Sequence, residues 1–311
     1  MSMKGAATVR REAAAALRMK GGWGASVGCW AIWILLDSLV GKVPAFFAQQ
    51  PLVLAFLIVP LLYYFRFAKV YGTTALAVAV MRGGPTVRYA FAGFGRGWRA
   101  VMVHFWVVWR LLPAMLPGLV AFLGVGIWQL VGAVWTAKGE TSPSAPLAYG
   151  LLLACLVLLV VPTLVAWYRY RLAYAVLVDH PDGSGRAVVD EARRLMAGSH
   201  RTMLLVDLGF IGMAAVVYLP GLYFLVDGIR QVDWTPMAES VRTAAAAGGQ
   251  DAVQSVATAL APLAKGILAL SVSGLCFSLW IQPYWTTALA AFYEDLLDRA
   301  ETSEPTPPEN T

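Results

Sequence analysis

Of 311 residues, 59% are hydrophobic and 14% charged, and the mean hydropathy is +0.64. A globular domain has about 45–50% apolar and about 25% charged residues, so this chain is too apolar to be disordered and too poor in charge to cover a soluble surface of its size. The net charge of +6 needs no nucleic acid as a partner: membrane proteins retain Lys and Arg on the cytoplasmic side, and no compact basic run marks a nucleic-acid site.

The composition predicts an all-α fold, a polytopic transmembrane bundle of about six spans with amphipathic interfacial helices. Residues 5–20 are Ala-rich and carry Arg10, Arg11, Arg18 and Lys20. They form a basic amphipathic N-terminal arm, lying on the inner membrane surface or solvated. The apolar stretch that follows is interrupted by Asp37 and sits behind a basic segment too long for a signal-peptide n-region, so an uncleaved first helix is expected. Asp37 itself reads as exposed at the outer interface.

A span needs about 20 mostly apolar residues. The spans fall at about 23–40, 51–81, 98–135, 147–169, 203–226 and 265–293, within one membrane domain, 21–299. The second contains Arg66 and Lys69, and is either one long helix or a span followed by a segment lying against the bundle. Pro60, Pro113, Pro117, Pro162, Pro220 and Pro283 punctuate the spans, and each can kink its helix. Leu116-Pro117-Gly118-Leu119 recurs as Leu219-Pro220-Gly221-Leu222, in two spans that both run outward, a hint of parallel internal repeats.

Arginine placement sets the orientation. With both termini inside, Arg82, Arg88, Arg96, Arg99, Arg186, Arg193, Arg194 and Arg201 all fall in cytoplasmic segments, while the outer segments hold few cations. Residues 184–197 read as a short cytoplasmic helix with Val188, Ala192, Leu195 and Met196 on one face, Asp182 or Ser184 at its start and Gly198 at its end. Its Asp190, Glu191, Arg193 and Arg194 read as a solvent face linked by salt bridges one turn apart. Residues 235–262 form a long outer loop, and the acidic, Pro-rich tail 300–311 reads as disordered.

The charged residues near membrane depth fall in one layer. Arg66, Lys69, Arg110, Arg169, Arg171 and Asp207 all stand at the inner end of an uncharged stretch. Such a layer, with Trp167, Tyr168 and Tyr170 beside it, could rim an inward-facing vestibule and bind an anionic headgroup or a phosphate-bearing solute. Plain snorkelling of long cationic side chains gives the same pattern. Asp207 cannot snorkel far, so it should pair with one of these arginines as a buried charge partner.

Neither an HExxH motif nor a P-loop is present. No catalytic residue, cofactor or metal site is read. Cys29, Cys155 and Cys276 lie singly in apolar stretches, and His104, His180 and His200 are scattered, so they read as structural residues.

Four segments carry a resemblance. They are Leu17 to Trp23; Gly72 to Arg99, with Met81-Arg82-Gly83; residues 161–201, with Asp179-His180-Pro181 and Arg194 to His200; and Ala288 to Leu296, with Phe292-Tyr293-Glu294-Asp295-Leu296. Together they resemble the domain of unknown function 975 family of bacterial integral membrane proteins. This chain departs from the pattern at Val161-Pro162-Thr163, where Pro-Gly is expected. The resemblance implies a multi-pass helical bundle in the bacterial cytoplasmic membrane, and implies no catalytic residue. The expected function is non-enzymatic, the binding or organising of anionic membrane lipid at the inner leaflet. The alternatives are a small-solute transporter or permease component, and an accessory subunit of a membrane complex. Partners on these readings are lipid, another membrane protein or a second copy of the chain.

Overall fold

The computed structural model describes residues 4–42, 52–137, 145–232 and 260–303. The described chain is helical, with no strand among its residues. In chain order the helices are α1 Ala6–Arg18, α2 Gly22–Val40, α3 Leu52–Met81, α4 Ala92–Ala137, α5 Ala145–Tyr168, α6 Ala173–Asp179, α7 Gly185–Leu195, α8 His200–Gln231, α9 Leu263–Cys276 and α10 Gln282–Ser303. A 3₁₀ turn, Val87–Phe91, leads into α4, and a π-turn, Phe277–Ile281, joins α9 to α10.

Among the described residues five stretches are long and apolar enough to cross a membrane: Gly22–Val40, Val87–Gln129, Gly150–Asp179, His200–Gln231 and Leu263–Thr302. The predicted span 51–81 is one continuous helix, α3, which settles its open alternative. About six spans therefore stand. The helices run unbroken through Pro60, Pro113, Pro117, Pro162 and Pro220. The interruptions fall instead at residues 169–172 and at the π-turn. Pro283 lies just after the π-turn in continuous helical backbone, so its missing N–H leaves a carbonyl of that preceding turn without its helical donor.

The bundle has two unlike ends. At the charged end, α1, α6, α7 and the adjoining halves of α3, α4, α8 and α10 enclose the main core, whose fully buried members include Val103, Leu177, Met203 and Phe292. Burying such a side chain contributes about 1.5–3 kcal/mol. At the apolar end the helices form hairpins with large exposed side chains, among them Leu123, Ile127, Leu153, Val216 and Leu268. Lipid is as apolar as leucine, so burial supplies no drive there, and close packing through small residues takes over. A Cβ at Gly118 would collide with the Leu159 backbone of α5. One at Gly221 would lie 2.9 Å from the Leu270 nitrogen of α9, and one at Gly266 would press on Leu225. Both copies of the Leu-Pro-Gly-Leu sequence thus place a glycine where an outgoing helix meets its returning partner.

α1 packs its apolar face on the bundle. Val9, Ala13, Ala16 and Leu17 are buried, and the Tyr284 hydroxyl of α10 donates to the Arg10 carbonyl at 2.9 Å. Arg11, Arg18 and Lys20 stay exposed on its other side. Lys4 lies 4.0 Å from Asp295, so both ends of the described chain meet at the charged end.

The predicted short helix forms as α7. Ser184 Oγ accepts from the Ala187 N–H at 3.2 Å, and Val188, Val189, Ala192 and Leu195 are buried. Gly198 follows with φ of +77°, a conformation that glycine adopts without strain. Most of the 235–262 loop, from 235 to 259, lies outside the described residues. The predicted tail begins inside α10, which continues to Ser303, and its residues 304–311 also lie outside the description.

Candidate functional site

Asp207 stands near the charged end of α8 and is 2% exposed. Its carboxylate accepts from Trp285 Nε1 at 2.6 Å and from the Tyr168 hydroxyl at 3.0 Å, and it faces Arg171 Nε at 3.6 Å. The guanidinium of Arg171 lies 4.4 Å from the Trp167 ring centroid and 5.8 Å from that of Trp285. A buried charge persists only when paired and hydrogen-bonded. The break after Tyr168 turns the chain so that Tyr168 and Arg171 both reach α8. The pairing expected for Asp207 is present, with Arg171 as its partner.

The other predicted residues do not form a ring. Lys69 on α3 pairs with Asp37 on α2 and lies 5.3 Å from the Trp30 ring, so Asp37 is exposed yet bonded across the helices. Arg110 on α4 donates to Asp190 on α7 at 2.6 Å. The sequence reading gave Asp190 to solvent. It does face Arg186 one turn away, at 3.9 Å, but its stronger partner is the long helix against which α7 packs. Arg66 and Arg169 are exposed, and neither has an ion pair among the described residues.

A second cluster went unread in the sequence. Arg82, at the end of α3, holds Asp179 with two bonds of 2.7 and 2.8 Å and Glu294 with one of 2.9 Å. The Tyr293 hydroxyl also donates to Asp179, at 2.8 Å. The hydrogen bonds to Asp179 raise the Arg82 pKa further above its ordinary value. Arg82 and Glu294 are 212 residues apart, and Arg82 and Asp179 are 97 apart. No spacing rule connects them. The one available signal was that Met81-Arg82-Gly83, Asp179-His180-Pro181 and Tyr293-Glu294 were three of the motifs that carried the family resemblance.

Three clefts at this end stand out among the described residues. One, of about 460 Å³, lies between the end of α1, the start of α2 and α10, and is lined by Arg18, Lys20, Trp23 and Tyr284. A second, of about 660 Å³, is lined by Asp179, His180, Glu191 and Arg194. The third, of about 940 Å³, is lined by Arg82, Arg88, Arg96 and Tyr89. Among the described residues no group of three or more His, Cys, Asp or Glu side chains could hold a metal ion.

These features define a helical membrane protein with a packed, ion-paired body at one end of its spans. Residues 3–300 match the family described as Protein of unknown function (DUF975), and the chain belongs to that family. No curated protein and no solved structure matches it.

Proposed function

We propose that the protein is a non-enzymatic, multi-pass protein of the bacterial cytoplasmic membrane that binds anionic lipid at the inner leaflet, with its charged end and both termini in the cytoplasm. The carrying observation is how the cations are partnered. Lys69, Arg110 and Arg171 are each matched to a carboxylate and serve the fold. Arg66 and Arg169, at the same level, are exposed and carry no ion pair among the described residues. The same is true of Arg18 and Lys20, which line the smallest of these clefts beside Trp23. A cation near an anionic leaflet gains about 1 kcal/mol, so four unmatched ones supply a useful affinity where the lipid-facing surface ends.

Native mass spectrometry of the detergent-purified protein is the direct test. Phosphatidylglycerol should remain bound, and combined Arg66→Ala and Arg169→Ala substitution should release much of it. Arg110→Ala should loosen α7 while leaving the lipid in place. Equal retention by the wild type and the double variant removes the reading.

The transporter reading keeps one observation in its favour, the pair of similar hairpins, since repeated units are common in transporters. Solute flux in proteoliposomes separates the two readings.

A further inference from the structure

The two hairpins correspond beyond the Leu-Pro-Gly-Leu sequence. His104 and Asp207 each stand fourteen residues before the contact glycine, Gly118 or Gly221, and Tyr174 and Trp285 each stand fifteen residues after the contact leucine, Leu159 or Leu270. Both pairs lie within hydrogen-bonding distance: Tyr174 Oη is 3.4 Å from His104 Nδ1, and Trp285 Nε1 is 2.6 Å from Asp207 Oδ1. Burial repeats in the same register. Ala100, Val103 and Val107 match Met203, Val206 and Phe210, and Val176 and Leu177 match Thr287 and Ala288, all of them buried. Each returning helix is interrupted between the two contacts, at 169–172 in one and at the π-turn 277–281 in the other. Chance recurrence of four residues would not reproduce a packing glycine, a polar pair and a buried stripe together.

Against this repeat, one difference stands out. The second hairpin places a carboxylate, Asp207, beside the cation Arg171. The first places the His104 imidazole at the corresponding position, lying 4.3 Å from the Phe67 ring. The cation beside that ring contact is Arg66, one residue before Phe67 on α3. Arg66 has no ion pair among the described residues. A guanidinium, an imidazole and a phenol can all donate, and the built-in anion of the second hairpin is missing. Tyr63 and Phe105, each more than half exposed, flank the cluster with apolar surface.

We infer that Arg66, His104 and Tyr174 form a binding site for a phosphate group, which takes the role that the Asp207 carboxylate fills in the second hairpin. The phosphate belongs to a lipid headgroup or is free in solution. The lipid source rests on the inner-leaflet reading above; the phosphate site does not.

The test uses full-length protein with ¹⁵N-labelled histidine in maltoside detergent, which carries no phosphate. His104 is assigned by its loss in His104→Gln. Adding phosphatidylglycerol, or inorganic phosphate, should shift the His104 side-chain resonances while those of His180 and His200 stay in place, and Arg66→Gln should abolish the shift. A shift with phosphatidylglycerol alone assigns a lipid, and a shift with inorganic phosphate assigns a free anion. His104→Asp supplies an internal carboxylate, so it should keep its thermal unfolding transition and lose the phosphate. No His104 shift in either arm, or undiminished phosphate binding by a folded His104→Asp protein, overturns the site. Retained phosphatidylglycerol in mass spectrometry with an unmoved His104 would sink this site and leave the inner-leaflet reading standing. A phosphate-induced shift without lipid retention would do the reverse.

Discussion

Asp207 shows what one buried charge demands. Its carboxylate is 2% exposed, and Trp285, Tyr168 and Arg171 together satisfy it. Removing one member of such a pair leaves an uncompensated charge, which costs roughly 3–5 kcal/mol. Asp207→Ala should therefore lower the thermal unfolding midpoint in detergent steeply, and Asp207→Ala combined with Arg171→Met should recover much of the loss. If the double variant is no better than the single one, the pair is not coupled. The need for an arginine partner was legible in the sequence, because a carboxylate at membrane depth has few alternatives. Which arginine it would be was not. Arg110 and Arg171 stood in the same layer, and only the turn after Tyr168 and the packing of α7 direct one to Asp207 and the other to Asp190. The Arg82 cluster was hidden for a related reason: its members come together only once α3, α6 and α10 are folded.

The helices themselves were legible because hydrophobic length and capping are local properties. Ser184 and Gly198 marked the boundaries of α7, and the span limits follow runs of apolar residues. The interruptions were legible only in part. The helices continue through five prolines, and the break at Arg169–Leu172 contains neither glycine nor proline, whereas the π-turn Phe277–Ile281 falls in the turn just before Pro283. These turns let Tyr168, Arg171 and Trp285 reach Asp207. The hairpin contacts are different, since glycine sets them and sequence can mark them. A Cβ at Gly221 would lie 2.8 to 3.0 Å from Leu270 atoms, backbone included, whereas one at Gly212 on the same helix would meet nothing within 4 Å. Gly221→Ala should destabilise the protein by about 1–3 kcal/mol through overpacking. Gly212→Ala should be neutral or stabilise it by up to about 1 kcal/mol, since alanine favours helix. Thermal unfolding of the two variants side by side checks the contrast, and equal effects would mean that α8 does not approach α9 through Gly221.

For the molecule as a whole, the packing constrains topology before any positive-inside argument is made. Lys4 and Tyr284 tie α1 to α10, and Arg82 ties the end of α3 to the end of α6 and to α10. Residues 4, 82, 179 and 294 therefore share one end of the bundle, so an even number of crossings separates each from the next. Asp182 lies just beyond that cluster, with its side chain 91% exposed. Lys42 follows α2, which runs from this end toward the other and carries no charge between Lys20 and Asp37. In a variant with Cys29, Cys155 and Cys276 replaced by alanine, a cysteine at Gly5 or Asp182 and one at Lys42 should label from opposite sides of the membrane. Arginine counts place the first two inside. A membrane-impermeant maleimide should then modify Lys42→Cys in intact cells, and Gly5→Cys and Asp182→Cys only in inverted vesicles. Gly5→Cys and Asp182→Cys labelling from different sides would contradict the packing of α1 on α10. Both labelling in intact cells would leave the packing intact and reverse the orientation, and the unmatched Arg66 and Arg169 would then face the outer leaflet.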